Sequence, residues 1–433
     1  MKSAHILGLN ARAQEYSYPH NHARGKSIAT SKLWSKQILR RAGIPVPETY
    51  GKFSDPTKVE RFNWDSLPGS FVLKPNRGFG GEGIIVVKKK AKDGDGWITT
   101  SKKRVHVEDL KLHCMDIMEG AYSLGNVPDK AFIEEFVGRH KSFRKFAYRG
   151  TPDIRIIVFN KVPIMAMLRL PTKESGGRAN IHQGAIAVGI DIATGITTHA
   201  IYHDRYIKEK PGTKRKLHGI KIPKWDSILE SAVKCQEVTG IGYLSADFVL
   251  HPEKGPMILE LNYQPGLRIQ MANKAGLKRR LERVEDLNVV DAQHGVKIAK
   301  SLFASNFADR VKAEEGIRTV EVLLEVKIKS KDGRKMTIPA KIDTGAWRTS
   351  IDRTLAKDLG LLSRSNILWK KRVRSSMGRE KRSVIDITFW LAKKKIKTTA
   401  GVSDRSKLKR PIIIGRQDLT GFLIDPSIKN NEK

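Results

Sequence analysis

The stretch FVLKPNRGFGGEGIIVV, Phe71 to Val87, sets Gly78, Gly80 and Gly83 in a G-x-G-x-x-G spacing between two β-forming runs. That context restricts the fold more than any other feature of the chain. A dinucleotide fingerprint needs a helix after its glycines, so that a pyrophosphate can rest on the helix N-terminus; here Gly83 leads into IIVVKK, a β-branched strand. A protein-kinase lid carries its lysine on the strand after the glycines, whereas Lys74 precedes them and neither H-R-D nor D-F-G follows. A Walker loop would end in G-K-[ST], which is absent. What remains is a hairpin whose backbone amides can close over phosphates while the Lys74 ammonium reaches them from the first strand.

A second constellation lies far downstream. Asp247 sits in SADFVL, and Glu260 and Asn262 sit in MILELN, with the turn HPEKGP between the two runs. Side chains alternate along a strand, so Glu260 and Asn262 share one face, and hairpin pairing brings Asp247 alongside them. Two carboxylates and an amide oxygen are hard ligands suited to Mg²⁺ shared with nucleotide phosphates, with Mn²⁺ as a substitute. The apolar lettering around these acids argues for burial, where an unpaired carboxylate is costly unless a cation compensates it.

The layout predicts an α+β fold. A helix capped by Thr30 or Ser31 runs through KLWSKQILRRA to Gly43, followed by the extended IPVPETYG. Short β-rich runs then continue to about Asn262, and helical patterns follow in AGLKRRLERVEDL and DAQHGVKIAKSLFA. Periodicity fades over the polar stretch 306–317, which is taken as a linker between a domain at 1–305 and a small all-β domain at 318–433.

Bulk composition narrows the classes. Two cysteines, Cys114 and Cys235, with no C-x-x-C partner exclude a disulfide framework or a cysteine zinc cluster and fit a reducing cytoplasm. No apolar run suggests a signal peptide or a bilayer span, so the chain reads as soluble and cytoplasmic, with no membrane partner. The net charge of +36 concentrates anions around the protein. No nucleic-acid motif accompanies it, which leaves RNA a side hypothesis behind nucleotides and acidic peptides.

Taken together, Lys32 in SKLWSKQILRRAGIPVP, Lys74, the EEFV segment and D-F…E-L-N resemble the ATP-grasp superfamily, and within it the RimK-type α-L-glutamate ligases, over roughly Leu7 to Ala304. The resemblance implies that Lys32, Lys74, Gly80 and Gly81 hold ATP phosphates. It implies that the backbone of Glu134, Glu135, Phe136 and Val137 meets adenine, with an acidic side chain there on the ribose. Asp153, Arg178 and Asn180 would line the nucleotide and the reacting carboxylate, with Arg178 catalytic, and Asp247, Glu260 and Asn262 would coordinate magnesium. It implies an ATP-dependent carboxylate–amine ligase working through an acyl phosphate on a carboxylate and an amine acceptor, with glutamate and an acidic peptide or protein as the substrates in view.

The C-terminal unit carries AKIDTGAWRTSI, with PIIIGRQDL near its other end. This resembles a retropepsin-like aspartic protease half, and more closely the small protease-like domains associated with RimK-type ligases. Asp343 would be the catalytic aspartate, buttressed by Thr344. One half supplies one aspartate where the chemistry needs two, which implies a homodimer through this unit. No His or Cys follows His294, so the unit offers zinc no soft ligands. An inactive barrel that docks a peptide is the competing reading of the triplet. The unit carries about +17 between Arg318 and Lys433, a surface that would draw an acidic peptide for binding or trimming. Two further readings of the whole chain stand beside the ligase: an aspartic peptidase regulated by an ATP-binding domain, and a basic RNA- or ribosome-associated binding protein.

Overall fold

In the computed structural model, which describes residues 5–78, 80–304, 318–375, 378–406 and 408–425, the glycine stretch is a hairpin. Strand β2 (Phe71–Pro75) pairs antiparallel with β3 (Ile85–Lys90), Phe71 opposite Val87 and Leu73 opposite Ile85. The chain forms two compact units, 1–285 and 286–433.

The first unit contains two antiparallel sheets. One has six strands in the order β1 (Thr49–Phe53), β6 (Ala131–Glu135), β2, β3, β4 (Trp97–Thr99) and β5 (Arg104–Val105). Its core holds Phe53, Trp64, Phe71, Trp97 and Leu110. The other has seven strands in the order β11 (Arg205–Ile207), β10 (Thr197–Tyr202), β9 (Ile186–Ile190), β8 (Val162–Leu170), β7 (Asp153–Phe159), β12 (Tyr243–His251) and β13 (Gly255–Asn262). Strands β7, β8 and β12 are buried over nearly their whole length, which accounts for their almost continuous apolar lettering.

Helix Lys32–Arg41 begins where Ser31 Oγ accepts the Trp34 N–H at 3.2 Å, and the chain leaves it through Gly43 at φ +71°, a conformation that suits glycine. Two further helices, Val107–Met118 and Trp225–Thr239, lie inside the region read as mostly β. The first was legible: its buried Leu110, Cys114 and Ile117 recur at helical spacing.

The second unit runs from residue 286. Helix Ala292–Phe303 falls within it, its His294 Nε2 lying 3.0 Å from the Ile367 carbonyl oxygen, so the compact division precedes residue 305, and the expected linker 306–317 lies outside the described residues. The remainder is a β-barrel. Strands β15 (Leu323–Lys329), β16 (Lys335–Asp343), β21 (Ile412–Gly415), β17 (Ser350–Asp352), β20 (Lys394–Ser403) and β19 (Gly378–Leu391) pair in that order, and β19 returns to β15. Strand β18 (Ile367–Ser375) extends β19, and β14 (Arg318–Glu321) pairs separately with β22 (Phe422–Asp425). Alternation fills the interior: Val326 and Ile328 point inward, while Lys327 and Lys329 face water. Among the described residues no helix is long and apolar enough to cross a membrane.

Candidate active site

Helix Lys32–Arg41 and strand β2 are tied together by Asn76, which directly follows β2. Its side-chain oxygen accepts from the Leu33 N–H at 2.8 Å and from Ser31 Oγ at 3.0 Å, and its carbonyl accepts from the Lys32 N–H at 3.2 Å. Lys32 Nζ in turn donates to the Gly78 carbonyl at 3.0 Å, so the lysine at the helix start lies beneath the mouth of the glycine loop.

One turn further along, Lys36 shares that helix face. Its Nζ lies 2.9 Å from Glu134 Oε2, while Lys74 Nζ pairs with Glu134 Oε1, all three side chains being buried. Burial opposes ionisation of Glu134, but the two ammonium groups outweigh it and hold the carboxyl below its ordinary range. Burial lowers Lys36 to about 8 against the pull of Glu134. Burial, with the charge of Lys74, lowers Lys32, while the charge of Glu260 acts in the opposite direction. Helix Lys32–Arg41 packs on β13, the strand that carries Glu260, whose charge pulls Lys32 and Lys36 upward.

The glycine loop is docked. The Gly80 carbonyl accepts from Asn180 Nδ2 at 3.0 Å and from Gln183 Nε2 at 3.3 Å, and Arg178 Cδ lies 3.8 Å from where a Gly81 side chain would begin. Gly83, at φ +68°, rests against Tyr122 so closely that a Cβ would lie 2.6 Å from the ring. Gly80, Gly81, Arg178 and Asn180, distant in sequence, thus form one wall.

The other wall is an arginine–carboxylate network. Asp247 stands opposite Glu260 across β12 and β13 and opposite Arg155 across β7. Arg155 Nε and Nη2 donate to its two oxygens at 2.8 and 2.6 Å, and Arg169 Nη2 adds a third bond at 2.7 Å. Arg169 also grips Asp153 at 2.5 and 2.7 Å. Burial would raise Asp247, but the two guanidiniums overcome it and hold the carboxyl well below its ordinary range. Burial, reinforced by the Asp247 charge and resisted by Arg169, pushes Asp153 up to about 7.

The candidate metal ligands are consequently unequal. Asp247 has three of its roughly four acceptor positions occupied by arginine. Glu260 and Asn262 are half-buried, Asn262 Nδ2 lies 3.4 Å from Glu260 Oε1, and the Arg155 guanidinium is 4.0 Å away. Among the described residues no group of three or more His, Cys, Asp or Glu is arranged to hold a metal. The oxygens that fit a cation are those of Glu260 and Asn262, with one remaining position on Asp247.

In the EEFV segment both acidic side chains are paired. Glu134 is engaged by Lys36 and Lys74, and Glu135 by Lys254, with His251 Nε2 at 3.4 Å. The Val137 carbonyl accepts from Thr151 Oγ1 at 2.7 Å and its side chain packs on Val249 and Met257, while Phe136 is half-buried. Sequence reasoning missed Lys36, Arg155, Arg169 and Gln183. Two of these carried a periodic signal, Lys36 four residues after Lys32 and Arg155 two after Asp153, on a shared helix or strand face.

In the second unit Asp343 closes β16 opposite Gly415 of β21, a parallel pair. Asp343 Oδ1 accepts the amides of Gly345 at 2.8 Å and Ala346 at 3.2 Å. Thr344 is exposed, so these amides, and not its hydroxyl, support the carboxylate. The buried hydroxyl nearby is Thr349, which bonds Asp418 and accepts the Gly415 N–H at 3.2 Å.

The sequence of this chain is 24% identical over 251 residues to a probable α-L-glutamate ligase of Halorhodospira halophila, a match covering 58% of this chain and 61% of that protein; the chain thus spans about three fifths of that curated relative. Among solved structures it resembles the ATP-grasp ligase PsnB complexed with a minimal precursor, at 17% identity over 62% of this chain and 63% of that one, with a TM-score of 0.34. It also resembles the D-alanine–D-alanine ligase of Bacillus anthracis complexed with ATP, at 15% identity over 68% and 72%, again with a TM-score of 0.34. The family model for sugar-transfer associated ATP-grasp proteins matches residues 11–286, nearly the whole first unit and well over half of the chain, and the chain belongs to that family.

Proposed function

We propose that the first unit is an ATP-dependent ligase that joins a carboxylate to an amine, of the glutamate-ligase kind. The observation that carries this reading is the set of Lys32, Lys36 and Lys74 gathered around Glu134 and the Gly78 carbonyl, on a strand and a helix that packs on the Glu260 strand, beneath a glycine loop held by Asn180 and Gln183. Joining ATP to a carboxylate brings two anions together, and these cations, with Arg178, neutralise the charge as the phosphoryl group moves. The γ-phosphoryl passes to the carboxylate oxygen and ADP leaves; the amine then attacks the acyl carbon and inorganic phosphate departs. The glycine hairpin keeps water from the acyl phosphate in between. Mg²⁺, or Mn²⁺ in its place, would be held by Glu260 and Asn262 with Asp247 and would screen the phosphate charge. An ADP-release screen over amino acids and acidic peptides, with mass measurement of the conjugate, tests the reading. Loss of release in Lys74→Ala and Glu260→Ala supports it, and undiminished turnover in either folded variant sinks it.

For the second unit we propose a retropepsin-like domain with Asp343 as its acid, completed by a second copy of the chain, that binds or trims an acidic product. The supporting observation is a closed barrel whose parallel pairing sets Asp343 against Gly415 at the end of β16. Mass spectrometry of an acidic peptide incubated with the wild type and with Asp343→Ala tests it; identical fragment patterns count against trimming.

A further inference from the structure

Two basic segments far apart in sequence meet on the surface of the first unit. Residues 139–149, RHKSFRKFAYR, contain five Lys or Arg and no acid; residues 205–224, RYIKEKPGTKRKLHGIKIPK, contain eight and the single acid Glu209. The second segment is an ordered hairpin. The Lys210 N–H donates to the Arg215 carbonyl at 2.8 Å and the Leu217 N–H to the Lys208 carbonyl at 3.0 Å, with Leu217 fully buried as its anchor. Its tip reaches the first segment, where Lys210 Nζ lies 3.5 Å from the Lys145 carbonyl oxygen. The charges repel one another: burial, then Arg215 and Arg139, lowers Lys210, and burial, then Lys141, Arg144 and Lys224, lowers His140. Such crowding costs stability and is relieved by an anion.

The patch leads to the candidate active site. The Tyr148 N–H donates to the Pro171 carbonyl at 2.9 Å, and Gly150 lies so close to Gly177 that a Cβ would overlap the Gly177 carbonyl oxygen. Arg178, beside the glycine loop, is the next residue. Aromatic faces on this side already carry cations: Arg149 lies over Tyr148 at 5.1 Å and Lys274 over Tyr206 at 4.4 Å. A single-stranded nucleic acid would need such faces for base stacking, whereas a chain of carboxylates needs only the charge.

We propose that the surface formed by Arg139, Arg144, Lys145, Lys210, Arg215 and Lys224 docks an acidic polypeptide and delivers its reacting end past Gly150 and Gly177 to the ligase site. This deepens the ligase reading and rests on it for the identity of that site. The test uses the full chain and a fluorescent oligoglutamate peptide, followed by anisotropy at low and high salt, with an RNA oligonucleotide of equal length as a competitor probe. The variant Arg144→Glu/Lys145→Glu/Arg215→Glu alters three exposed residues. A control, Lys52→Glu/Lys92→Glu/Lys103→Glu, makes the same charge change at exposed positions around the six-stranded sheet of the first unit, outside the patch. Expected is a loss of peptide affinity of about tenfold or more in the first variant and less than about twofold in the control. Equal losses in both variants would overturn the proposal, as generic attraction to net charge. RNA binding tighter than the peptide and lost in the first variant would overturn it in favour of a nucleic-acid surface. ATP binding, measured separately with a fluorescent analogue, is expected to be unchanged in both variants. A wild type that binds the peptide at the patch but no nucleotide would leave the docking surface standing and remove the ligase reading.

Discussion

Asp247 and Glu260 stand directly opposite each other on β12 and β13, yet Asp247 is bound by Arg155 and Arg169 while, among the described residues, Glu260 meets no guanidinium closer than 4.0 Å. Their substitutions therefore separate structure from function. Asp247→Asn leaves two buried guanidiniums short of charge and is expected to cost about 3–5 kcal/mol in urea unfolding. Glu260→Gln should change stability by no more than about 0.5 kcal/mol while removing Mg²⁺-dependent nucleotide binding. Equal destabilisation by the two would refute the division of labour.

The Lys36–Glu134–Lys74 cluster predicts an acid-limb dependence of stability. Glu134 has its folded pKa depressed, so its contribution is fully present above the ordinary glutamate value, about 4.3, and is lost as pH falls through the lower folded value. Glu134→Gln should flatten that limb in pH-dependent thermal melts. Lys36, lowered to about 8, acts on the alkaline side: the unfolded chain holds its proton up to about 10.4, so wild type should gain stability relative to Lys36→Met between those values. A parallel pair of stability–pH curves would rule this out.

Removing both amides that hold the Gly80 carbonyl, as Asn180→Ala/Gln183→Ala, should loosen the glycine hairpin. Amide exchange at Gly81–Gly83 should quicken and KM for ATP should rise by roughly five- to a hundredfold, the worth of two ordinary hydrogen bonds, without loss of global stability. Unchanged exchange would mean that the loop is held by something else.

In the second unit, Gly415→Ala would set a Cβ 2.5 Å from the Arg348 carbonyl carbon, a backbone clash expected to cost about 1–3 kcal/mol. Asp343→Asn should leave the barrel intact, because its side-chain oxygen still accepts from Gly345 and Ala346. Differential scanning calorimetry distinguishes the two; a lower melting temperature in Asp343→Asn would show that the carboxylate charge itself supports the fold.

The local features of this chain were written in residue type and spacing. The β-branched run after Gly83 specified a hairpin, Ser31 started the lysine helix, and alternation put Glu260 and Asn262 on one strand face. Those are short-range consequences of dihedral preference and periodicity, and they hold whatever the rest of the chain does. Which groups neutralise one another was decided by tertiary structure. Arg155 and Arg169 reach Asp247 only because β7 lies between β8 and β12, Lys36 and Lys74 share Glu134 only because Asn76 ties the start of the lysine helix to the end of β2, which pairs with β6, and Lys210 meets Lys145 only across 65 residues of sequence. Charge pairing acts through space over a few ångströms, so no spacing along the chain encodes it.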